Sequence, residues 1–300
     1  MERKSADWAF ARYQSLRARL PRAGFPASSE RVPSLSALAE RFDLFLLDAF
    51  GVLNVGEGAI PSAPAAMAAL QAAGKRLMVL TNGATLPASA ALEKYRRLGF
   101  DFSPEDVIAS RDALACALAD MPLGRQWGAM AARMSRLDAL PAECHLLGDD
   151  AAVYASVDGF LLLSTVEWPP ERTALLQAAL AERPRPVLVG NPDIVAPRED
   201  GLSVEPGHIG HLLADLRGVA PRFFGKPYGD VYDMALARAG GVAPERVLMV
   251  GDTLHTDILG GAAAGVKTAL VTDHGLFAGR DVAPFIKESG IVPDYILPSP

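Results

Sequence analysis

The stretch VLMVGDTLHTD, residues 247–257, decides the fold: an apolar run ends in a Gly-Asp pair, and a second aspartate follows five positions later. Continuous apolar runs are typical of buried strands in parallel sheets, and ligands of such sheets bind at the carboxyl ends of the strands. Asp252 and Asp257 would repel each other there unless a cation joined them, which indicates a Mg²⁺ site with oxygen ligands. The alternative is a solvated loop with an acidic helix start, which the helix dipole stabilises.

Three further apolar runs also end in residues that can do chemistry. They are LFLLDAFGVL at 44–53, which contains Asp48; LMVLTNG at 77–83, which contains Thr81; and FFGKP at 223–227, which contains Lys226. A carboxylate at the tip of a strand can serve as a nucleophile or a metal ligand. Taken singly, Asp48 and Thr81 could cap turns or helices, and Lys226 could be an exposed lysine. Their shared placement after apolar runs favours one common site.

The order of these motifs resembles that of the haloacid dehalogenase superfamily of hydrolases. Asp48 matches the aspartate nucleophile of that family, and Thr81 matches the hydroxyl of its second motif. Lys226 matches the lysine of the third motif, and Asp252 with Asp257 matches the acidic pair of the fourth. The resemblance implies a hydrolase that forms an aspartyl-phosphate intermediate on Asp48.

The stretch GNPD at residues 190–193 is similar to one branch of this superfamily. That branch contains p-nitrophenyl phosphatase, pyridoxal phosphatase and nucleotide phosphatase relatives, which carry a large α/β cap between the second and third motifs. The resemblance covers roughly residues 42–298. It implies a small phosphorylated substrate and a possible homodimer, because capped relatives often pair.

The resemblance also implies a metal site and a set of catalytic contacts. A Mg²⁺ ion would be held by Asp48, the carbonyl oxygen of Phe50, Asp252 and Asp257, with Asp257 acting more through a water or Lys226 than as a direct ligand. The hydroxyl of the second motif and nearby backbone N–H groups would hold phosphoryl oxygens, while Lys226 neutralises the transferring group.

Three further residues are expected to bind the substrate. Asn82 and Gly83 follow the second-motif hydroxyl and are predicted to line the same pocket. Asn191 follows a predicted strand in the cap, where this branch places residues that face the substrate. For Asn191 and its neighbour Asp193, substrate contact and capping of their own loop remain alternatives.

One position departs from the family pattern. Phosphatases of the family carry a second aspartate two residues after the nucleophile, and this aspartate protonates the leaving oxygen. Phe50 stands at that position, and general acid catalysis contributes about 10²–10⁴-fold. Haloacid dehalogenases have an aromatic residue there and expel a halide, which needs no proton. The departure predicts a phosphatase restricted to good leaving groups.

Composition argues against several classes of function. Of the 300 residues 50% are hydrophobic, the formal charge is −6 and the pI is near 5.4, which argues against general electrostatic binding to nucleic acids or anionic membranes. The two cysteines, Cys116 and Cys144, show no zinc-type spacing. No signal-peptide core is apparent, and no apolar run approaches the roughly 20 residues that cross a bilayer. We expect a cytoplasmic protein without nucleic-acid or membrane partners.

Alternating strand and helix patterns predict an α/β protein with a Rossmann-like, doubly wound parallel sheet core and an inserted α/β cap domain. The predicted parts are an N-terminal helix and linker at 1–41, a catalytic core at 42–111 and 222–300, and a cap at 112–221. The pattern further predicts a strand at residues 187–189 in the cap and a helix at residues 230–239 in the core.

The N-terminal segment predicts a helix that packs on the main domain rather than on a partner. Ser5 is the candidate cap of this helix, and an apolar stripe follows at spacings of three and four, formed by Phe10, Tyr13, Leu16 and Leu20. His255, inside the acidic motif, is expected at the surface, with a position facing the pocket as the alternative.

Three functions are compatible with these observations. A Mg²⁺-dependent phosphatase is favoured. A catalytically weak binding or regulatory protein on the same scaffold is the second hypothesis, and Phe50 alone motivates it. A dehalogenase-like hydrolase is the third, although the cap and the intact acidic pair count against it because halide displacement needs no metal. A nicotinamide-binding enzyme is disfavoured, since no Gly-x-Gly-x-x-Gly follows the first strand.

Overall fold

Strands and helices alternate along the chain, as the sequence predicts. The computed structural model describes residues 4–122, 124–198 and 201–300. Its strands are β1 (Glu30–Arg31), β2 (Leu44–Leu47), β3 (Asn54–Val55), β4 (Gly58–Ala59), β5 (Arg76–Thr81), β6 (Val107–Ala109), β7 (Gln126–Met130), β8 (Glu143–Leu146), β9 (Gly159–Leu162), β10 (Val187–Val189), β11 (Val195–Arg198), β12 (Gly201–Val204), β13 (Arg222–Phe223), β14 (Val247–Gly251), β15 (Lys267–Val271) and β16 (Tyr295–Leu297). Its α-helices are α1 (Ala6–Ser15), α2 (Ala63–Ala72), α3 (Ala88–Arg97), α4 (Ser110–Ala119), α5 (Ala151–Ser156), α6 (Pro170–Glu182), α7 (Pro206–Leu213), α8 (Asp230–Ala239), α9 (Leu259–Ala263) and α10 (Ala283–Ser289). Among the described residues, no helix combines the length and the apolar character that a bilayer span requires.

Seven strands form the larger sheet, in the order β1-β16-β15-β14-β2-β5-β6, and all neighbouring pairs are parallel. Strand β2 lies between β14 and β5, with Leu47 paired to Val250 on one side and to Val79 on the other. Every residue of β2 and β14 is buried, which explains why both strands are uninterrupted apolar runs. Because these strands are parallel, the motifs that follow them meet at one edge.

Helices cover both faces of the larger sheet, because successive side chains of a strand point to opposite faces. Phe45 and Leu47 pack in an apolar cluster that includes residues of α2. Leu44 and Leu46 pack on the other face, in a cluster that includes residues of α4 and α8. The predicted Rossmann-like, doubly wound core is therefore confirmed.

The middle of the chain forms a second parallel sheet, in the order β13-β10-β9-β7-β8. Helices α5, α6 and α7 pack against it through Tyr154, Leu176 and Leu213, among others. This block corresponds to the cap expected between the second and third motifs, and the antiparallel hairpin β11–β12 extends it. Strand β13 belongs to this sheet, although the return to the core was expected at residue 222. The domain boundaries stay a prediction.

The N-terminal helix α1 contacts both parts of the molecule. Ser5 caps it as predicted, since its hydroxyl accepts a hydrogen bond from the backbone N–H of Trp8 at 3.1 Å. The apolar stripe is buried in a cluster that includes Ile258 of the core and Ile194 of the middle block. The hydroxyl of Tyr13 also accepts a hydrogen bond from the N–H of Ile194 at 3.0 Å. The sequence predicted the contact with the core but not the contact with the cap.

Candidate active site

Three carboxylates meet at the carboxyl edge of the larger sheet. Asp48 follows β2 and Asp252 follows β14, while Asp257 lies in the short helical turn Leu254–Ile258. Each carboxylate has one oxygen that lies within 4.8 Å of an oxygen of each of the other two. The two neighbouring parallel strands place the first two carboxylates, and the turn folds the third back onto them.

Lys226 joins two of these carboxylates. Its Nζ donates hydrogen bonds to Oδ1 of Asp48 at 2.5 Å and to Oδ1 of Asp257 at 2.7 Å. Only 2% of its side chain is exposed, so the alternative of an exposed lysine is wrong. Burial lowers the pKa of Lys226, but Asp257 and Asp48 outweigh burial and hold this pKa above its ordinary value. The amine is therefore a cation at neutral pH.

If all three carboxyl groups were ionised, they would carry more negative charge than Lys226 neutralises. Burial raises the pKa of Asp48 to about 7, with Lys226 opposing the shift and Asp257 adding to it. Burial, followed by Asp257 and Asp48, raises the pKa of Asp252 well above its ordinary value. A divalent cation would relieve this repulsion, because it favours the ionised form of each carboxyl. Buried carboxylate oxygens at this spacing fit Mg²⁺, which prefers oxygen ligands.

Two glycines allow other backbone segments to approach Asp252 closely. The φ angles of Gly51 and Gly275 are +84° and +76°, in the left-handed region that favours glycine. A Cβ on Gly51 would lie 2.6 Å from Cγ of Asp252, and a Cβ on Gly275 would overlap its Oδ2. The N–H of Leu276 donates a hydrogen bond to the same Oδ2 at 2.6 Å. The carboxylate of Asp252 is thereby fixed in position.

The second motif braces the loop that carries Lys226. Oδ1 of Asn82 accepts a hydrogen bond from the N–H of Lys226, and its Nδ2 donates to the carbonyl of Lys226, both at 2.8 Å. The same Nδ2 donates to Oδ1 of Asp193 at 2.8 Å, and the N–H of Gly83 donates to Oγ1 of Thr81 at 3.1 Å. The amide of Asn82 is thus committed to protein partners, and the predicted substrate contacts of the motif stay predictions.

A cavity of about 400 Å³ lies between this edge of the core and the middle block. Asp48, Thr81 and Asp252 line it on the core side, together with Asn82 and Gly83; residues of the middle block, Asn191 and Asp193 among them, line the other side. The volume is in the range of sites for small molecules. The structure thus brings most of the predicted site residues around one cavity, while Lys226 and Asp257 are not among the residues that line it.

Asn191 organises its own loop while it lines the cavity. Its Oδ1 accepts a hydrogen bond from the N–H of Asp193 at 3.0 Å, and its Nδ2 donates to Oε2 of Glu205 at 3.1 Å. Oε1 of Glu205 accepts a hydrogen bond from Arg198 at 3.0 Å. Of the two alternatives for Asn191, loop capping is therefore observed, and substrate contact stays a prediction.

Phe50 lies beside Asp48 on the wall of the cavity. Nζ of Lys94, from α3 in the core, lies 4.9 Å from the centre of its ring, and Cζ of Arg198, from β11 in the middle block, lies 5.0 Å from it. Both cations also line the cavity. Neither cation could be predicted as part of the site from the sequence, because charged residues on a helix or a hairpin usually indicate a solvated face.

His255 is buried, so the expectation of a surface histidine is wrong. Its Nε2 lies 2.7 Å from Oε1 of Gln14, and its ring stacks on Tyr13 with centroids 5.1 Å apart. Burial, with a smaller effect of Arg17, lowers the pKa of His255 to about 3, so the ring is neutral. Helix α1 covers this histidine, and a contact between segments so far apart in the chain has no local sequence signal.

Two family models match the chain. One, described as haloacid dehalogenase-like hydrolase, matches residues 45–137, and the other, described as HAD-hydrolase-like, matches residues 223–299. Together they span more than half of the chain and contain the four motifs. The segment between them, residues 138–222, lies within the middle block and contains most of the smaller sheet.

Individual relatives agree with the family models. The chain is 32% identical to human glycerol-3-phosphate phosphatase, over 91% of this chain and 92% of that protein. A possible sugar phosphatase from Cytophaga hutchinsonii aligns with a TM-score of 0.79 at 25% identity, covering 91% of this chain and 98% of that one. A glycerol phosphate phosphatase from Mycobacterium tuberculosis, solved in complex with magnesium, aligns with a TM-score of 0.67 at 24% identity, over 86% and 75% of the two chains, and shares the fold. The chain therefore belongs to the haloacid dehalogenase superfamily of hydrolases.

Proposed function

We propose that this protein is a Mg²⁺-dependent phosphatase that acts on small phosphorylated metabolites through an aspartyl-phosphate intermediate on Asp48. The observation that carries the proposal is the ion-pair chain Asp48–Lys226–Asp257 beside Asp252. Asp48 and Asp252 lie at the wall of a small cavity. A carboxylate held against a protonated amine is suited to attack phosphorus, because the amine offsets the repulsion of an anionic substrate. The human relative, named as a phosphatase, supports the same activity.

Each motif has a proposed part in the reaction. An oxygen of Asp48 forms a bond to phosphorus while the bond from phosphorus to the leaving oxygen breaks, and water then hydrolyses the acyl phosphate. The hydroxyl of Thr81 and the adjacent backbone N–H groups hold the non-bridging oxygens. Lys226 neutralises the transferring group, whose charge is spread over those oxygens.

Mg²⁺ would be held by Asp48, the carbonyl of Phe50 and Asp252, and it would supply positive charge against the phosphoryl oxygens. Asp257 directs Oδ1 to Lys226 at 2.7 Å and accepts a hydrogen bond at Oδ2 from the N–H of Thr253 at 3.0 Å. These partners favour a role for Asp257 in positioning the lysine beside the metal site. The M. tuberculosis relative, whose structure contains magnesium, supports the choice of metal.

The phenyl ring at position 50 limits the range of substrates. A phenyl ring has no proton to give to a leaving oxygen. The cations Lys94 and Arg198 lie beside the ring and also line the cavity. We therefore expect good leaving groups, such as acyl and aryl phosphates, to be preferred. The same observation favours the second candidate function, a catalytically weak binding or regulatory protein; a dehalogenase-like hydrolase stays the third.

Turnover of an aryl phosphate, with and without Mg²⁺, tests the proposal directly. We expect release of inorganic phosphate from p-nitrophenyl phosphate in the presence of Mg²⁺, and loss of that release after chelation. Tight binding of phosphate esters without turnover would favour the binding or regulatory protein. Release of halide from a haloacid without added metal would favour the dehalogenase.

Replacing Lys226 by methionine is expected to lower kcat by at least about 10²-fold, because an electrostatic contact to the transferring group is lost. Since Asp48 and Asp257 lose their buried partner, stability should also fall, by about 3–5 kcal/mol. Thermal unfolding therefore has to show a folded variant before kcat is measured. Lys267→Met, at an ion pair on the surface, is the matched control, and an undiminished kcat in Lys226→Met would contradict the role.

Substrate choice is expected to depend on the middle block, because the motif residues contact only the transferring group. Replacing Asn191 by alanine should change relative rates across a panel of phosphate esters by roughly 3- to 10-fold, the effect of one lost hydrogen bond. Mg²⁺ affinity should stay unchanged, since Asn191 bonds Asp193 and Glu205 rather than the carboxylates of the metal site. Glu182→Gln, on an exposed end of α6, is the control. Identical selectivity in Asn191→Ala would place the specificity residues elsewhere.

A further inference from the structure

Three cations line the cavity, and two of them, Lys94 and Arg198, lie against the ring of Phe50. The three are Lys94 and Arg97 of α3 and Arg198 of β11, and Glu57 and Glu205 are the carboxylates near them. Phe50 lines the same cavity as the proposed nucleophile Asp48, and the family resemblance implies that the residue at this position faces the leaving group. The charged groups around the ring are therefore placed to contact the leaving group rather than the transferring phosphoryl group.

Lys94 keeps part of its donor capacity. An ammonium has three N–H donors, and Lys94 directs Nζ to the carbonyl of Gly56 at 2.9 Å and to Oε1 of Glu57 at 3.1 Å. Glu57 is 76% exposed at its side chain, so this ion pair neutralises little charge. Attraction to the face of the Phe50 ring, whose centre lies 4.9 Å from Nζ, also holds the cation at the cavity.

Arg198, on the opposite side of the cavity, also keeps part of its donor capacity. Its Nε donates to Oγ of Ser203 and its Nη2 to Oε1 of Glu205, both at 3.0 Å. Within residues 4–122, 124–198 and 201–300, its Nη1 has no hydrogen-bond partner. Both oxygens of Glu205 already accept hydrogen bonds, from Arg198 and Ser203 on one side and from Asn191 on the other. Among the residues that the structure describes, the Nη1 edge of the guanidinium therefore has no partner and faces no competing hydrogen bond.

We propose that the leaving group of the natural substrate carries a second anionic group, a carboxylate or a phosphate, which Lys94 and Arg198 bind beside the Phe50 ring. This inference rests on the proposed phosphatase function and narrows its substrate class. An anionic group at this place matches two cations that the core and the middle block contribute separately. Their positive charge also stabilises the negative charge that develops on the leaving oxygen, which Phe50 cannot protonate.

Matched aryl phosphates test the inference. The charged probes are p-carboxyphenyl phosphate and p-(phosphonomethyl)phenyl phosphate, and the neutral probe is p-carbamoylphenyl phosphate. The measured quantity is the ratio of kcat/KM for each charged probe to kcat/KM for the neutral probe. Comparing this ratio between variants cancels the intrinsic reactivity of the esters, and comparing the two charged probes distinguishes a carboxylate from a phosphate.

Two variants remove the cations without leaving a buried carboxylate unpaired. Lys94→Gln removes one charge next to an exposed partner, and the double variant Arg198→Gln with Glu205→Gln removes both members of the buried pair. Each should lower the ratio by about 10-fold, the effect of a lost hydrogen bond to a charged group. Arg96→Gln, an equal loss of charge on the exposed face of α3, should leave the ratio unchanged.

The outcomes separate this inference from the function on which it rests. A ratio that falls in both cation variants and not in Arg96→Gln supports a second anionic group. A ratio that is the same in the natural protein and in both cation variants would overturn the inference while the phosphatase activity stands. Absence of turnover for all three esters with Mg²⁺ would overturn the proposed function itself.

Discussion

Replacing Asp252 by asparagine is expected to abolish Mg²⁺ binding and turnover together. The substitution removes one of the three carboxylates that would surround the cation and leaves Asp48 and Asp257. Asparagine has nearly the same shape, and its amide oxygen can still accept the hydrogen bond from the N–H of Leu276. The loss should therefore come from charge and not from a collapsed site.

Calorimetry of Mg²⁺ binding measures this effect directly. Without metal, Asp252→Asn should be more stable than the natural protein, because it removes a buried carboxylate whose pKa burial and two neighbouring carboxylates raise. The measurement is the free energy of unfolding by denaturant in the presence of a chelator, which should be larger for Asp252→Asn than for the natural protein. Asp273→Asn, at an exposed aspartate close by in the chain, is the control. Undiminished Mg²⁺ affinity in Asp252→Asn would remove this residue from the metal site.

The rate should depend steeply on the leaving group, because Phe50 supplies no proton. Acyl phosphates and aryl phosphates such as p-nitrophenyl phosphate should react, whereas sugar and other alkyl phosphates should be slower by about 10²–10⁴-fold. The measurement is the slope of log kcat/KM against leaving-group pKa across a series of neutral aryl esters. Neutral substituents keep Lys94 and Arg198 from adding an effect of their own.

Phe50→Asp tests whether the missing acid causes the slope. The new carboxyl should restore part of the rate on alkyl phosphates and flatten the slope. The restoration should be incomplete, because Lys94 and Arg198 lie about 5 Å from the present ring centre and would lower the pKa of the new carboxyl. Phe50→Leu, which removes the ring without adding an acid, is the matched control. A flat slope in the natural protein would mean that another group supplies the proton.

His255 is not that group. Its ring lies between α1 and the acidic loop, paired with Gln14 and stacked on Tyr13, and it is not among the residues that line the cavity. Burial lowers its pKa to about 3, so the ring is neutral at neutral pH, and a neutral imidazole is too weak an acid to protonate a leaving oxygen.

Elements with a strong local pattern could be predicted from the sequence. The strand at Val187–Val189 and the helix at Asp230–Ala239 have the predicted bounds, because each is a clear apolar or amphipathic run with distinct ends. The hairpin β11–β12 was not predicted, since Pro197 within β11 argues against a strand. Strand β7 was also missed, because Gly128 at its centre interrupts a short run.

Some residues of the candidate site could likewise be predicted from local patterns, and others could not. The carboxylates of the strand ends could be predicted, because parallel strands in register bring the residues that follow them to one edge. The two cations around Phe50 could not, because Lys94 and Arg198 meet only after the core helix and the cap hairpin have packed across the cavity. Contacts of this kind depend on the relative placement of two folded units, which no local pattern encodes.

The position of β2 between β5 and β14 has a consequence for the order in which the chain folds during synthesis. Its partner β14 follows about two hundred residues later, which at about 5–20 residues per second is a delay of roughly 10–40 s. All strands of the smaller sheet precede β14 in the chain, so we expect that sheet to form first on the ribosome. Lys226 also emerges before Asp252 and Asp257. The carboxylates of the site are therefore never brought together in the absence of the amine that neutralises them.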